Sequence, residues 1–283
     1  VGAVTLTLDG IAYRYAGALR PALTDVTLEL GDGQVVGVVG ASEAGKTTLC
    51  LVASGLAPRT VGGTLRGRVA LDGDDVADWP MHRINAHVGI AFQSPATQLS
   101  QVAGTVFEEV AFAPMNHGLA LDELVSRTWS ALDALRIADL AERDPRRLSG
   151  GQQQLVAMAG LLAMRPRHLV LDEPTAQLDP AGTRLVGEAI ERLAASGASI
   201  LIAEQKTDLL ARICGRVLVL DRGTVALEGP AHEALADPRL VELGVPEPGP
   251  VRLRRLARGA GVDARPLELA APQAAEPEAS VHG

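Results

Sequence analysis

Aromatic residues are nearly missing: two Trp, two Tyr and three Phe make up 2% of the 283 residues. A broad nucleic-acid surface needs stacking rings and clustered basic charge, and this chain, with a formal net charge of −8, offers little of either. Cysteine is scarce as well. Cys50 and Cys214 lie inside apolar segments without metal-like spacing, so both read as small core residues and disulfide stapling is not expected. No run approaches the roughly 20 apolar residues that span a bilayer, and the first residues lack a charged-then-apolar leader pattern, so the chain is expected to be cytosolic. At 47% hydrophobic it can bury a core fit for one large domain or two small ones. Its one basic cluster, Arg252, Arg254, Arg255 and Arg258, reads either as solvated surface or as a patch drawn to an anionic membrane.

The stretch around which the rest is organised is Gly40, Ala41, Ser42, Glu43, Ala44, Gly45, Lys46, Thr47 and Thr48. It comes after the apolar run 35–39 and precedes a helix-like run over 49–56, and this context of strand, loop and helix suits a polyphosphate. Glycines let backbone N–H groups approach the phosphates, while the helix presents its positive end. Lys46 is then placed to pair the β- and γ-phosphates and Thr48 to reach the α-phosphate. The Thr47 hydroxyl suits Mg²⁺, a hard cation that takes oxygen ligands. Glu43 stands where many such loops carry glycine, and its carboxylate is expected to point to solvent. The six histidines show no ligand pattern, so nucleotide-bound Mg²⁺ is the only metal expected.

Residues 4–8 and 26–30 alternate polar and apolar, as half-buried antiparallel strands do, and Gly31-Asp32-Gly33 is a turn signal. Tyr13 and Tyr15 lie between them. A ring ahead of the phosphate loop either stacks on a base, worth about 1–3 kcal/mol in nucleic-acid cases, or is a strand-edge tyrosine. Residues 67–73 read as a hairpin segment and 87–92 as a buried strand ending at Gln93, either a loop residue or an amide that coordinates Mg²⁺ or orients water. From 105 to 147 the pattern is helical, with Val106, Val110, Leu119, Leu124, Trp129, Leu132 and Leu135 punctuating charged residues. Ser149, Gly150, Gly151 and Gln152 then open a helix, as a common N-cap or as a second anion site. An apolar strand ends in Asp172 and Glu173. The first is placed to hold Mg²⁺ and the second to accept a proton from attacking water. A helix from Pro180, a buried strand over 199–203 ending at Glu204-Gln205-Lys206, and a hairpin over 217–227 complete the pattern.

With these residues in hand, the chain resembles the ATP-binding-cassette ATPases over roughly residues 1–243. Residues 40–47 are similar to their Walker A loop, 148–152 are identical to their signature sequence, and 169–173 are similar to Walker B with its catalytic glutamate. Tyr15 falls at the adenine-stacking position, Gln93 at the Q-loop, and Asp179 closes the D-loop. The resemblance implies an α/β fold: a P-loop NTPase core of the ABC type with an N-terminal antiparallel β-layer and a helical insertion at about 98–147. Residues 244–283 are expected to be a largely disordered extension, apart from a short helix near Arg252.

Phe92-Gln93-Ser94-Pro95 with Gln98-Leu99, and then residues 105–112, resembles more narrowly the energy-coupling-factor and cobalt-type importer ATPases. One position departs: the family's switch histidine aligns with Gln205, whose amide donates a hydrogen bond but takes up no proton near neutral pH. Either turnover at this site is impaired, or Glu173 alone suffices as base and Gln205 positions the γ-phosphate.

The resemblance further implies ATP and Mg²⁺ as cofactors. It implies a second cassette, identical or related, whose signature loop covers this chain's ATP, and Gln205 favours the unequal pair. An integral membrane coupling subunit and a substrate-binding membrane subunit are the implied partners, with the insertion as docking surface and the cytoplasmic face of the membrane as the place of work. A vitamin or transition-metal ion is the implied solute, recognised by another subunit. The alternatives are a conventional ABC importer or exporter, or an ABC ATPase of DNA repair or translation, whose tandem cassettes, coiled coils or zinc insertions are not seen in this sequence.

Overall fold

The computed structural model describes residues 5–260. It opens with β1 (Leu6–Arg14) and β2 (Leu23–Leu30), an antiparallel pair whose apolar side chains alternate inward. The first strand runs further than the sequence pattern over 4–8 indicates and takes in Tyr13. Gly10, at φ +57°, absorbs the shift in pairing register between Leu8 and Ile11, as a bulge requires. β3 (Val35–Gly40) leaves this layer for a second sheet and runs into α1 (Lys46–Ala53) and the short α2 (Leu56–Arg59). β4 (Thr64–Leu71) and β5 (Asp74–Asp75) return to complete a four-stranded sheet in the order β2-β1-β4-β5.

After α3 (Met81–Asn85) and β6 (Val88–Ala91) comes the helical insertion, α4 (Val106–Asn116) and α5 (Leu121–Ala134). Thr105 starts α4 with a reciprocal cap: its hydroxyl accepts from the Glu108 N–H at 3.2 Å, and the Glu108 carboxylate accepts from the Thr105 N–H at 3.1 Å. Val106, Val110, Leu124, Leu132 and Leu135 are buried as the periodicity predicts. Trp129 is not. It stays 40% exposed with its ring 5.3 Å from Phe107.

The remaining elements are α6 (Gly150–Met164), β7 (His168–Asp172), α7 (Pro180–Ala195), β8 (Ser199–Ala203) and α8 (Thr207–Ile213), then β9 (Arg216–Asp221) and β10 (Thr224–Pro230). Three helices close the described chain: α9 (Ala231–Ala234), α10 (Arg239–Glu242) and α11 (Gly249–Gly259). The last is the helix expected near Arg252; residues 261–283 lie outside the described part.

The second sheet has the order β10-β9-β3-β8-β7-β6, parallel except for β10. The inner strands β9, β3, β8 and β7 are buried on both faces, which is why they read as continuous apolar runs. Val35 and Val39 of β3 belong to a core shared with the insertion, α6 and α7, whereas Val36 and Val38 belong to a core shared with the β-layer and α1. Register brings the strand ends together: Val38 pairs with Ala203, Ala203 with Asp172, and Leu171 with Ala91. The segments leaving these strands, namely the phosphate loop, Glu204-Gln205, Glu173 and Gln93, therefore converge at one edge, where open α/β sheets bind ligands.

At the opposite edge Asp72 ties the two layers together. His168, 1% exposed, has Nδ1 2.6 Å from Ser199 Oγ and Nε2 3.3 Å from Asp72 Oδ1. Asp72 Oδ2 pairs with Arg167 at 2.9 Å. Burial pushes the His168 imidazole below its ordinary value, and Asp72 opposes that more weakly.

Candidate active site

The phosphate loop is shaped by what its neighbours exclude. A Cβ on Gly40 would lie 2.5 Å from the Leu220 carbonyl, and Gly45 sits at φ +108°, so neither position admits a side chain without strain. Glu43, an ordinary L-residue, is nevertheless held at φ +65° with its side chain exposed. α1 begins with no side-chain cap and no acidic residue in its first turn, which leaves its positive end available to an anion. Lys46, 7% exposed, rests its ammonium on the carbonyls of Gly40 at 2.8 Å and Ala41 at 3.0 Å.

A cavity of about 450 Å³ lies over the loop, lined by Ser42, Glu43 and residues 45–48 and by Tyr15, Gln93, Glu173 and Gln205. The two tyrosines part company. Tyr13 is fully buried and donates to the Gly62 carbonyl, whereas Tyr15 lines the cavity with its hydroxyl 3.0 Å from Thr48 Oγ1. A larger cavity of about 730 Å³ lies elsewhere, among the ends of α5, α6 and α7. Three of its lining arginines are engaged structurally: Arg192 donates to the Ala134 carbonyl at 3.0 Å, Arg127 to that of Met164 at 3.4 Å, and Arg167 pairs with Asp72.

Asp172 is 4% exposed, and its Oδ1 is buried without a hydrogen-bond partner. Burial raises its carboxyl above the ordinary range, a hydrogen bond from Thr47 works against this, and the charge of Glu173 adds to the rise. A buried, partnerless carboxylate oxygen beside a threonine hydroxyl is a donor set that a hard divalent cation satisfies. Thr47, Asp172 and the Gln93 amide fit Mg²⁺ in that sense.

Glu173 comes next, at φ +48°, its N–H donating to the Ala203 carbonyl at 2.8 Å. Its carboxylate is clasped by two amides: Gln205 Nε2 donates to Oε1 at 2.7 Å and Gln93 Nε2 to Oε2 at 2.9 Å. Ser149 Oγ accepts from the Gln152 N–H at 3.3 Å and Gln152 Oε1 from the Ser149 N–H at 3.0 Å, a capping box that starts α6. Gly150 and Gly151 abut Gln177, and Asp179 caps α7 by accepting from the Gly182 N–H at 2.7 Å. None of residues 149–152 or Asp179 lines the cavity over the phosphate loop.

Residues 23–176 match the family model described as ABC transporter. The chain belongs to the ABC transporter family. Among its ATPase relatives, a putative ABC transporter ATP-binding protein of Pyrococcus horikoshii is 36% identical over 88% of this chain and 87% of its own length. The energy-coupling factor transporter ATP-binding protein EcfA of Enterococcus faecium is 35% identical over 91% of both chains. The structure of cbiO1 from Clostridium perfringens, described as part of the ABC transporter complex cbiONQ, superposes with a TM-score of 0.73 at 29% identity, covering 91% of this chain and 98% of that one.

For an ABC ATPase, the structure sorts the sequence-derived residues into two groups. Tyr15, Ser42, Glu43, residues 45–48, Gln93, Glu173 and Gln205 line one cavity, with Gly40, Ala41 and Ala44 in the same loop and Asp172 bonded to Thr47 beside it, while Ser149 to Gln152 and Asp179 sit apart at two helix starts. Sequence reasoning missed Glu204 and Lys206. Glu204, 2% exposed, accepts from the Thr175 hydroxyl and from the Gln205 N–H at 2.7 Å. Lys206 donates to the Thr175 carbonyl at 2.7 Å, the Leu178 carbonyl at 3.0 Å and Thr183 Oγ1 at 2.9 Å. The only signal for them was a charged pair flanking Gln205 at the end of an apolar strand.

Proposed function

We propose that this ABC ATPase binds and hydrolyses Mg²⁺-ATP as one of two cassettes that energise an energy-coupling-factor type importer of a vitamin or transition-metal ion. One observation carries the hydrolytic reading: Glu173 is oriented by Gln93 and Gln205 at a cavity whose floor is a helix N-terminus with Lys46. Loop N–H groups and Lys46 bind the phosphates, and Tyr15 faces the base. Thr47, Asp172 and Gln93 hold the cation, which offsets phosphate charge when bound. Glu173 accepts the proton of the attacking water, and Gln205 keeps its carboxylate aimed without taking up a proton itself.

The signature residues 149–152 lie outside this chain's own cavity, which supports a second cassette as the source of the outer wall for each nucleotide. A binding mode stronger in the closed pair than in the open one shifts the equilibrium toward closure. An apolar groove of about 450 Å³, lined by Phe92, Leu99 and Phe112 of the Q-loop and insertion and by Ala157 and Leu161 of α6, suits a membrane subunit. Among the described residues no helix is long and apolar enough to cross a membrane, so attachment at the cytoplasmic face goes through such partners. The names of EcfA and cbiO1 support the importer type.

The test is Glu173→Gln in the full chain with ATP and Mg²⁺, analysed by size exclusion with light scattering. A stable nucleotide-bound pair of cassettes is expected, and hydrolysis at the parental rate would refute the role of Glu173. Co-purification of the parent from membranes with a small integral membrane protein tests the transport reading.

A further inference from the structure

We infer that Lys206 is a positioning residue for the catalytic carboxylate: its ammonium locks the turn after Glu173 onto the segment that carries Gln205. The inference rests on the hydrolytic role of Glu173 proposed above. Glu173 sits in a left-handed conformation that L-residues adopt only when their surroundings impose it. The surroundings here are specific. Residues 204–206 grip residues 173–178 from both sides. The buried Glu204 carboxylate takes the Thr175 hydroxyl together with the N–H groups of Gln205 and Lys206, the latter two at 2.7 and 3.2 Å. All three ammonium protons of Lys206 have an acceptor: the carbonyls of Thr175 and Leu178 and the hydroxyl of Thr183. Thr175 is fully buried, so this turn cannot shift without breaking the grip.

The clasp therefore fixes two things together. It holds the backbone that places Glu173, and it holds the backbone of Gln205, whose side chain orients that same carboxylate. Leu178 extends the clasp to the stretch whose Gln177 abuts Gly150 and Gly151, so the turn bearing the base also bears on the signature loop. Lys206 does not line the cavity over the phosphate loop, and its ammonium contacts no group that reacts. Its effect passes through Glu173.

The experiment uses the full chain with its partner subunits and compares Lys206→Met, Lys206→Arg and Thr183→Val by steady-state ATPase kinetics and melting. Lys206→Met is expected to lower kcat by about tenfold or more, since small misplacements of a reacting group cost that much, while KM for ATP stays within about twofold. Lys206→Arg should recover part of the loss, and Thr183→Val, which removes one acceptor of three, should lose less. In the Glu173→Gln background, Lys206→Met is expected to add no further loss to the residual rate, because both changes act through one carboxylate. Parental kcat in Lys206→Met, or the same proportional loss with and without Glu173, overturns the inference. If Lys206→Met does not fold, Thr183→Val decides alone by the same split of kcat from KM. Failure of the functional reading shows in the parent: a complex that turns over no ATP overturns both.

Discussion

Glu43 offers a separation of backbone strain from charge. At φ +65° an L-residue pays about 1–2 kcal/mol relative to right-handed backbone. Glycine would remove that cost but lose about 0.5–1 kcal/mol through the greater freedom of its unfolded chain. Glu43→Gly is thus expected to stabilise the protein by about 0.5–1 kcal/mol, a rise of about 1–4 °C in melting temperature for a chain of this size. Charge acts on binding instead. Two unit charges about 8 Å apart in an effective dielectric of about 40 interact by about 1 kcal/mol. For a ligand with two net negative charges, halved for the solvent and salt around an exposed side chain, about 1 kcal/mol of repulsion remains. That corresponds to about fivefold in affinity.

Two variants therefore diverge. Glu43→Gln keeps the strain and removes the charge, so Mg²⁺-ATP should bind about fivefold more tightly with melting unchanged. Glu43→Gly should show the same gain in affinity together with the gain in stability. Calorimetric titration at low and high salt reads the first, and thermal melting of the free chain reads the second. The gain in affinity should shrink as salt rises. Unchanged affinity of Glu43→Gln at low salt, or a lower melting temperature for Glu43→Gly, refutes the reasoning.

Tyr15→Ala should weaken ATP binding by about tenfold through loss of a stacking face, and Tyr15→Phe should change it little, as titration with a fluorescent nucleotide will read. Asp172→Asn should stabilise the free protein by about 1 kcal/mol, because it removes a buried charge whose folded-state carboxyl is raised, and should abolish turnover; melting and ATPase assays check the two halves. His168, depressed by burial, stays neutral in the folded chain while the unfolded chain takes up a proton near pH 6.5. Its contribution is therefore complete above that pH and lost as pH falls through the folded-state value, so urea midpoints should drop from pH 7 to 5, with a flatter profile in His168→Gln.

Much of the candidate site could be assembled from the sequence because the chemistry proposed for it is carried by backbone and spacing. A strand, a glycine turn and a helix start can be read locally, and so can Asp172 and Glu173 at the tip of an apolar run. Gln93 and Gln205 were visible as strand-end residues, but their joint grip on Glu173 depends on strand order, β8 beside β7 and β7 beside β6, which no local pattern states. Lys206 and Glu204 stayed hidden for the same reason, since their partners lie 23 to 31 residues away. The continuity of β1 was obscured by Gly10, whose left-handed turn looks like a strand end when read alone. Trp129 shares the helical period of its buried neighbours yet stays exposed, because periodicity marks a face without stating how far the covering core extends.

The central sheet keeps two separate apolar interiors, one beneath the β-layer and α1, the other beneath the insertion and α6. β3 and β7, which lead into the phosphate loop and Asp172, contribute to both interiors, whereas α1 and the tyrosine strand rest on the first and α4, α5 and α6 on the second. Substitutions in the second interior therefore reach the insertion and the site-bearing strands together, while those around α1 and the tyrosine strand leave the insertion's own packing intact.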